Sequence, residues 1–275
     1  MTIRRGFADV AGVQAHYRTA GAGAPIILFH ASPGSAKQLE PLIAALASSA
    51  RVIAPDTPGN GDTPPLGILE PTAADLAAAQ LRFLDAMDLE TVDVYGTHTG
   101  GCIAAELAIL APGRVRRLVL DGIGMWEGEE QADLLARYAL PFTPDLDGGY
   151  LQRAFTFCRD QFLFFPWYMR DRAHRIDGGL GSADMLHDWV IELLKASTTY
   201  APNYRAAFRW PARERLAYVR TPTLVLAAET DPVRELTERV AAWLPGARYL
   251  ALPRGDQPGF PALLAQAVLD HVRQQ

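Results

Sequence analysis

Only two lysines stand in the chain, Lys37 and Lys195, and neither lies in a loop motif, so Schiff-base chemistry has no candidate. Cysteine is equally scarce. Cys102 and Cys158 form neither a metal spacing nor a disulfide framework, which suits a reducing cytosol. No Gly-rich cradle ends in Gly-Lys-Ser/Thr, and no His-Glu-x-x-His or Cys-x-x-Cys occurs, so phosphate-loop and common zinc chemistries lack their ligands. Long apolar runs are missing too. Pro25 to Phe29 is far short of a membrane span, and Met1 to Ala11 is too polar for a signal peptide. Excess positive charge is absent: a net charge of −5 gives no electrostatic reason to expect nucleic acid or an anionic membrane. There is no internal repeat, low-complexity tract or linker. The expectation is a cytoplasmic protein without cofactor or metal, whose partners are a small-molecule substrate and at most a second copy in a homodimer.

What is present is a full core's worth of apolar residues, 49% of 275, enough for one domain with room for an insertion. Val13 to Thr19 alternates as a half-buried strand does. Ile26 to Phe29 is continuously apolar, as in a sheet covered on both faces. A helix is expected over 36–47, a strand over 51–54, and a helix capped by Thr72 with Leu76, Phe83, Leu84 and Met87 on its inner face. Strands follow at Val92 to Tyr95 and Val115 to Leu120, with a helix between them ending at Ala111-Pro112-Gly113. From Met125 to about Tyr218 no strand is evident and large aromatic side chains crowd together. The β-α alternation returns at Thr223 to Ala227, continues with a helix after Asp231-Pro232 and a strand over 249–252, and closes with a helix over 261–272. Repeated β-α units on both sides of the aromatic stretch predict an α/β fold with a doubly wound, mainly parallel sheet. Residues 1–122 and 220–275 would form the core and 123–219 an inserted helical cap.

The centre of the pattern is Gly96-Thr97-His98-Thr99-Gly100-Gly101, a sharp Gly-flanked turn between strand and helix. Such a turn holds its central residue strained and exposed at the carboxyl edge of a parallel sheet. Other loops fall in a familiar order around it: His30-Ala31-Ser32-Pro33-Gly34, Asp56-Thr57-Pro58-Gly59-Asn60-Gly61, Ala228-Glu229-Thr230-Asp231 and Leu252-Pro253-Arg254-Gly255-Asp256. On these five features the chain resembles the α/β-hydrolase superfamily over essentially its whole length. The resemblance implies the α/β-hydrolase fold, with His98 at the nucleophile position, Asp231 at the acid position and Asp256 where the family has histidine. It further implies an oxyanion hole made by the backbone N–H groups of Ser32 and Thr99.

No Ser-His relay can form from His98, Asp231 and Asp256. A reversed pair can, with the long imidazole on the elbow and the short carboxylate of Asp256 opposite. The positive end of the following helix would keep His98 neutral near pH 7, ready to take a proton or to attack a carbonyl. Should both aspartates lie beside His98, one should have a raised pKa. The alternatives for Asp231 are a helix cap before Pro232, and for Asp256 a plain turn. His30 and Asp56 read mainly as residues that fasten their own loops, with His30 also a candidate substrate contact.

In the cap stretch, Trp167 and Tyr168 would wall an apolar pocket and Arg170 would grip a carboxylate, unless it is a solvated charge. His187 and Tyr204 are further cap groups able to supply a proton. The leading expectation is an enzyme hydrolysing an ester, lactone or carbon–carbon bond in a small, mostly apolar carbonyl compound. A lyase, isomerase or cyclase could use the same parts, and a binding protein could keep the capped pocket without turnover. Grouping of His98, Asp231 and Asp256 under a cavity favours an enzyme; an Asp256 turned to solvent favours the binder.

Overall fold

The computed structural model describes residues 2–274. Eight strands form one sheet in the order β1-β2-β4-β3-β5-β6-β7-β8. They are β1 (Arg4–Val10), β2 (Val13–Ala20), β3 (Pro25–Phe29), β4 (Arg51–Pro55), β5 (Val92–Thr97), β6 (Val115–Asp121), β7 (Thr223–Ala228) and β8 (Arg248–Leu252). From β4 to β8 every pairing is parallel; β1 and β2 add an antiparallel edge. The sequence pattern did not reveal β1. As an edge strand it leaves Phe7 exposed, so it lacks the apolar run that marks the inner strands.

Alternate residues of each inner strand serve opposite layers. Ile27 and Phe29 face α2 (Ala73–Ala86) and α3 (Thr99–Leu110). Ile26 and Leu28 face α1 (Glu40–Leu46) and the last helix, α10 (Phe260–Val272). The helix expected over 36–47 is a 3-10 turn at Ala36–Leu39 followed by α1. Thr72 caps α2 as expected: its hydroxyl accepts from the Asp75 N–H at 3.1 Å, and the Asp75 carboxylate accepts from the Thr72 N–H at 2.9 Å.

Between β6 and β7 the chain forms α4 (Gly128–Arg137), α5 (Gly149–Gln161), α6 (Ala183–Lys195), α7 (Tyr200–Arg209) and α8 (Ala212–Leu216). Their shared core is aromatic, built on Trp126, Tyr138, Phe142, Phe157, Tyr200 and Phe208. The α9 helix (Arg234–Ala241) links β7 to β8. Polar ties join these helices to the sheet layer: the Trp189 indole N–H donates to the Pro33 carbonyl at 2.8 Å, and the Thr199 hydroxyl to that of Gly59 at 2.7 Å. The switch point of the strand order falls between β3 and β5. Open α/β sheets bind ligands at the carboxyl ends of the strands flanking such a point.

A buried carboxylate fastens α3, the helix that carries the elbow. Glu106 is 2% exposed and takes both forks of Arg215 at 2.7 and 2.8 Å, plus the Trp210 indole N–H at 2.7 Å. Removing one partner of a buried pair leaves an uncompensated charge. Arg215→Ala is expected to destabilise the protein by about 2–3 kcal/mol, less than for a wholly buried pair because Arg215 keeps some water. Denaturant unfolding checks this; no measurable loss would show that the charge pair does not fasten the helix.

Candidate active site

The elbow forms because its neighbours can be nothing larger than glycine. A Cβ on Gly96 would lie 2.2 Å from the Gly100 carbonyl oxygen, and one on Gly100 would lie 2.2 Å from that of Phe29. The strand thus passes hard against the helix, and the chain reverses at His98 with φ 49° and ψ −112°. A non-glycine residue there costs about 1–3 kcal/mol and persists only if its surroundings enforce it. They do: the His98 N–H donates to the Asp121 carbonyl at 2.9 Å, and the His98 carbonyl accepts from the N–H groups of Gly101 and Cys102 at 2.9 and 3.2 Å.

His98 meets Asp231, with 3.2 Å between Nε2 and Oδ2. The other Asp231 oxygen accepts the Val233 N–H at 2.8 Å, so one carboxylate both orients the imidazole and braces the start of α9. The contact needs Gly122, whose φ is +63°. A Cβ there would stand 2.5 Å from Asp231 Oδ2 and 2.9 Å from His98 Nε2. In the sequence, Gly122 is marked only by its place just after a strand, on the carboxyl edge.

Asp256 does not pair with His98, contrary to the reversed-pair expectation. Arg254, two residues back, takes both its oxygens at 3.1 and 2.8 Å, and the carboxylate stays half-exposed at the cavity rim. A short-range charged fork outcompetes the imidazole across the pocket. Arg254 also reaches Asp177 at 3.1 Å, tying this loop to the helical layer.

The second carboxylate beside the imidazole is Asp121, at the end of β6. Its Oδ2 accepts the Tyr95 hydroxyl, and it shares with His98 and Tyr95 a cavity of about 290 Å³ toward α1 and α10. Burial and the charge of Asp231 push the Asp121 carboxyl up to about 7, although the Tyr95 hydrogen bond and His98 work the other way. The pair expected from the sequence, Asp231 with Asp256, does not form at His98; the carboxylate that shares the imidazole's surroundings with Asp231 is Asp121.

Burial disfavours the imidazolium form of His98, but the charge and contact of Asp231, with the charge of Asp121, outweigh it and raise its pKa above the ordinary 6.5. This reverses the expectation that the helix end would hold the ring neutral: an anion in contact acts more strongly than a partial charge. Burial likewise disfavours the Asp231 carboxylate, yet His98 and the Val233 N–H bring its pKa below the usual range.

Ser32 borders the main cavity, and its N–H makes no hydrogen bond among the described residues. Thr99 is the first residue of α3, where a helix N–H has no intrahelical partner. His30 is wholly buried and does not line the main cavity. It donates from Nδ1 to the Ala31 carbonyl at 2.8 Å and accepts the Thr57 N–H on Nε2 at 3.0 Å, with burial lowering its pKa. It fastens two loops and is not a substrate contact.

The main cavity, about 840 Å³, lies between the sheet edge and the helices of the insertion. Trp167, Tyr168, Arg170 and His187 do not line it. The Trp167 indole donates to the Tyr138 carbonyl at 3.0 Å, Tyr168 donates to Asp133 at 2.6 Å, and Arg170 pairs with Asp160 at 2.7 Å; His187 is exposed on α6. These side chains turn into the packing of the helices between β6 and β7 or outward, a matter of helix orientation that the sequence does not display. Phe165 does line the cavity, with Phe162, Trp189, Tyr138, Tyr204 and Gln161. The one group of three candidate metal ligands among the described residues, His16, Asp56 and Asp62, lies outside this cavity. There Asp56 accepts the N–H groups of Ala36 and Asp62 at 2.8 and 2.9 Å and contacts His16 at 2.8 Å, so its oxygens are already engaged.

Comparison with known proteins fits this geometry. A family model described as the alpha/beta hydrolase fold matches residues 24–256. The 2-hydroxy-6-oxononadienedioate/2-hydroxy-6-oxononatrienedioate hydrolase 2 of Pseudomonas putida is 29% identical over 250 residues, covering 83% of this chain and 78% of the relative. A 2-hydroxy-6-oxo-2,4-heptadienoate hydrolase, also of Pseudomonas putida, is 40% identical over 118 residues, 40% of this chain and 41% of that one. Epoxide hydrolase A of Mycobacterium thermoresistibile matches with a TM-score of 0.76 at 22% identity over 99% of this chain and 98% of its own, a likeness of fold alone. With the family model spanning most of its length, the chain belongs to the α/β-hydrolase fold family.

Proposed function

We propose that the protein is a hydrolase of a small, mostly apolar carbonyl compound, with His98 as general base on water and Asp231 as its orienting partner. The observation that carries this is the 3.2 Å contact between His98 Nε2 and Asp231 at the rim of a large cavity. An ionised Asp231 accepts from Nε2–H, which leaves the lone pair on Nδ1. That nitrogen is crowded by its own Cβ, so taking a proton from water is easier for it than acylation. Water loses its proton to Nδ1 as its oxygen adds to the carbonyl carbon. The N–H groups of Ser32 and Thr99 hold the resulting oxyanion, and Asp231 steadies the imidazolium. Collapse breaks the C–O or C–C bond as the imidazolium returns the proton to the leaving group. The names of the two relatives, both hydrolases of oxo acids, support hydrolysis at a carbonyl. A positioned base is worth about 10²–10⁴-fold.

A second reading, a ligand-binding protein without turnover, draws on one observation: Asp256 is held by Arg254, so the family's third position contributes nothing to the imidazole. Kinetics separate the two. A base must be unprotonated, so kcat/KM on an activated ester should rise with pH through a midpoint above 6.5, the imidazole's ordinary value. Asp231→Asn removes the anion that favours imidazolium, so the midpoint should move to lower pH while the plateau falls by about 10²-fold or more. Asp256→Asn should cost less than Asp231→Asn. Saturable binding with no turnover at any pH would favour the binder.

The same assignment predicts that fluorophosphonate probes leave the protein unlabelled, because the elbow offers no hydroxyl. Stoichiometric labelling of Ser32 or another serine, found by peptide mapping, would overturn it.

A further inference from the structure

The helices between β6 and β7 are fastened to the sheet layer unevenly. Trp189 donates to the Pro33 carbonyl at 2.8 Å, Lys37 pairs with Asp188 at 3.4 Å, Lys195 with Asp62 at 3.1 Å and Arg205 with Glu70 at 2.7 Å. Thr199 and Asn203 reach the carbonyls of Gly59 and Pro58, and Glu106 holds Trp210 and Arg215. All these partners in the sheet layer fall between Pro33 and Glu106 in the chain. From β7 onward the picture changes. Among the described residues, the hydrogen bond or ion pair that reaches the helices or the loops between them is that of Arg254 with Asp177; Val233 adds apolar packing.

Asp177 belongs to an irregular stretch that walls the main cavity through Ile176, Gly178, Gly179, Leu180 and Ser182. Both ends of the stretch are anchored. The Ile176 N–H donates to the Leu163 carbonyl at 3.0 Å, and the Ser182 hydroxyl accepts the Met185 N–H at 3.1 Å. Between them, residues 178–181 make no hydrogen bond among the described residues. A Cβ on Gly179 would meet no atom within 4 Å, and one on Gly178 only the Phe162 carbonyl oxygen, at 3.9 Å. A segment with so few contacts opens at low cost. Arg254, by contrast, is set in place. Asp256 takes its Nε and Nη2 at 3.1 and 2.8 Å, which leaves Nη1 on the Asp177 carboxylate at 3.1 Å and Nη2 near the Asp177 carbonyl at 3.0 Å. The Asp177 carboxylate is almost wholly in water, so this contact breaks more readily than the fork on Asp256.

From this asymmetry we infer that residues 176–182 form a strap closing the main cavity, with Arg254 as its latch. Small molecules pass between the strap and the 254–256 loop when Arg254 releases Asp177. The ties between Pro33 and Glu106 hold the helices in place while this edge opens. Asp256, which does not serve the imidazole, acts here as a positioning residue: it keeps the guanidinium aimed at the strap, so closing needs no search by Arg254. A latch made of an exposed ion pair is weak by nature and is screened by salt, so the strap opens often and opens more in strong salt. The inference concerns access to the cavity and holds for a hydrolase and for a binding protein alike.

Thiol labelling reads the opening without any ligand. Phe162 lines the cavity directly beneath the strap, 3.8 Å from where a Cβ on Gly181 would stand, so Phe162→Cys places a reporter there. The native Cys102 and Cys158 are buried and give a low background. The reagent is N-ethylmaleimide, whose lack of charge keeps its own approach insensitive to salt. With the latch intact, labelling should be far slower than that of a free thiol. Adding Asp177→Ala should speed it about fivefold, and Arg254→Met, which also loses the carbonyl contact, about tenfold. Lys195→Met, on the fastened side, should leave the rate unchanged. Salt at about 1 M should speed labelling with the latch intact and have little effect once Asp177→Ala is present. Equal rates with and without Asp177→Ala would overturn the inference. So would a Lys195→Met effect as large as that of Asp177→Ala, or labelling at the free-thiol rate from the start. Should Phe162→Cys not fold, Phe165→Cys on the same cavity wall takes its place, with the same outcomes.

Discussion

The site depends on one contact, that between the His98 imidazole and the Asp231 carboxylate in the space left empty above Gly122. Two strand ends have to converge for it: β5, which leads into the elbow, and β7, whose following loop brings Asp231. The elbow holds His98 at a positive φ that only a tightly bonded surround can maintain, with the helix start on one side and the Asp121 carbonyl on the other. The parallel sheet, the elbow glycines and the buried Glu106–Arg215 pair thus bring an imidazole and a carboxylate into register at the edge of a cavity.

The same contact sets the electrostatics. Asp231 and Asp121 are both largely but not fully buried near one imidazole, and three such groups cannot all titrate as they would in water. His98 is raised, Asp231 is lowered, and the Asp121 carboxyl, hydrogen-bonded to Tyr95, lies at about 7. A base whose pKa lies above that of free imidazole takes a proton from water with more driving force, while a smaller fraction of it is unprotonated at neutral pH. The cavity beyond the imidazole has a largely apolar wall, and among the described residues no lysine or arginine lines it.

The parts of the site written locally were legible in the sequence. The elbow announces itself by its glycines, and Asp231 by its distance past a continuous apolar strand. Thr72 is marked as a cap by the Asp75 that answers it. What failed was whatever depends on a side chain's choice between neighbours. Asp256 occupies the expected loop, but Arg254 lies closer to it than any imidazole. Trp167, Tyr168 and Arg170 lie between β6 and β7, where the segment turns them into the packing against Tyr138, Asp133 and Asp160, and Phe162, Phe165 and Trp189 take the cavity wall. Asp121 and Tyr95 meet only because β5 and β6 pair in one register, with Thr97 opposite Asp121. Register between strands separated by a helix is a tertiary fact, and no spacing in the chain displays it.

The most direct test of the account is ¹⁵N NMR titration of the His98 ring, which reports the tautomer and the pKa of one residue. Held by Asp231 and not by Asp256, the neutral ring should carry its proton on Nε2 and titrate above 6.5. Asp231→Asn should lower that value, and Asp256→Asn should leave it almost unmoved. A proton on Nδ1, or a His98 titration that shifts with Asp256 and ignores Asp231, would contradict it.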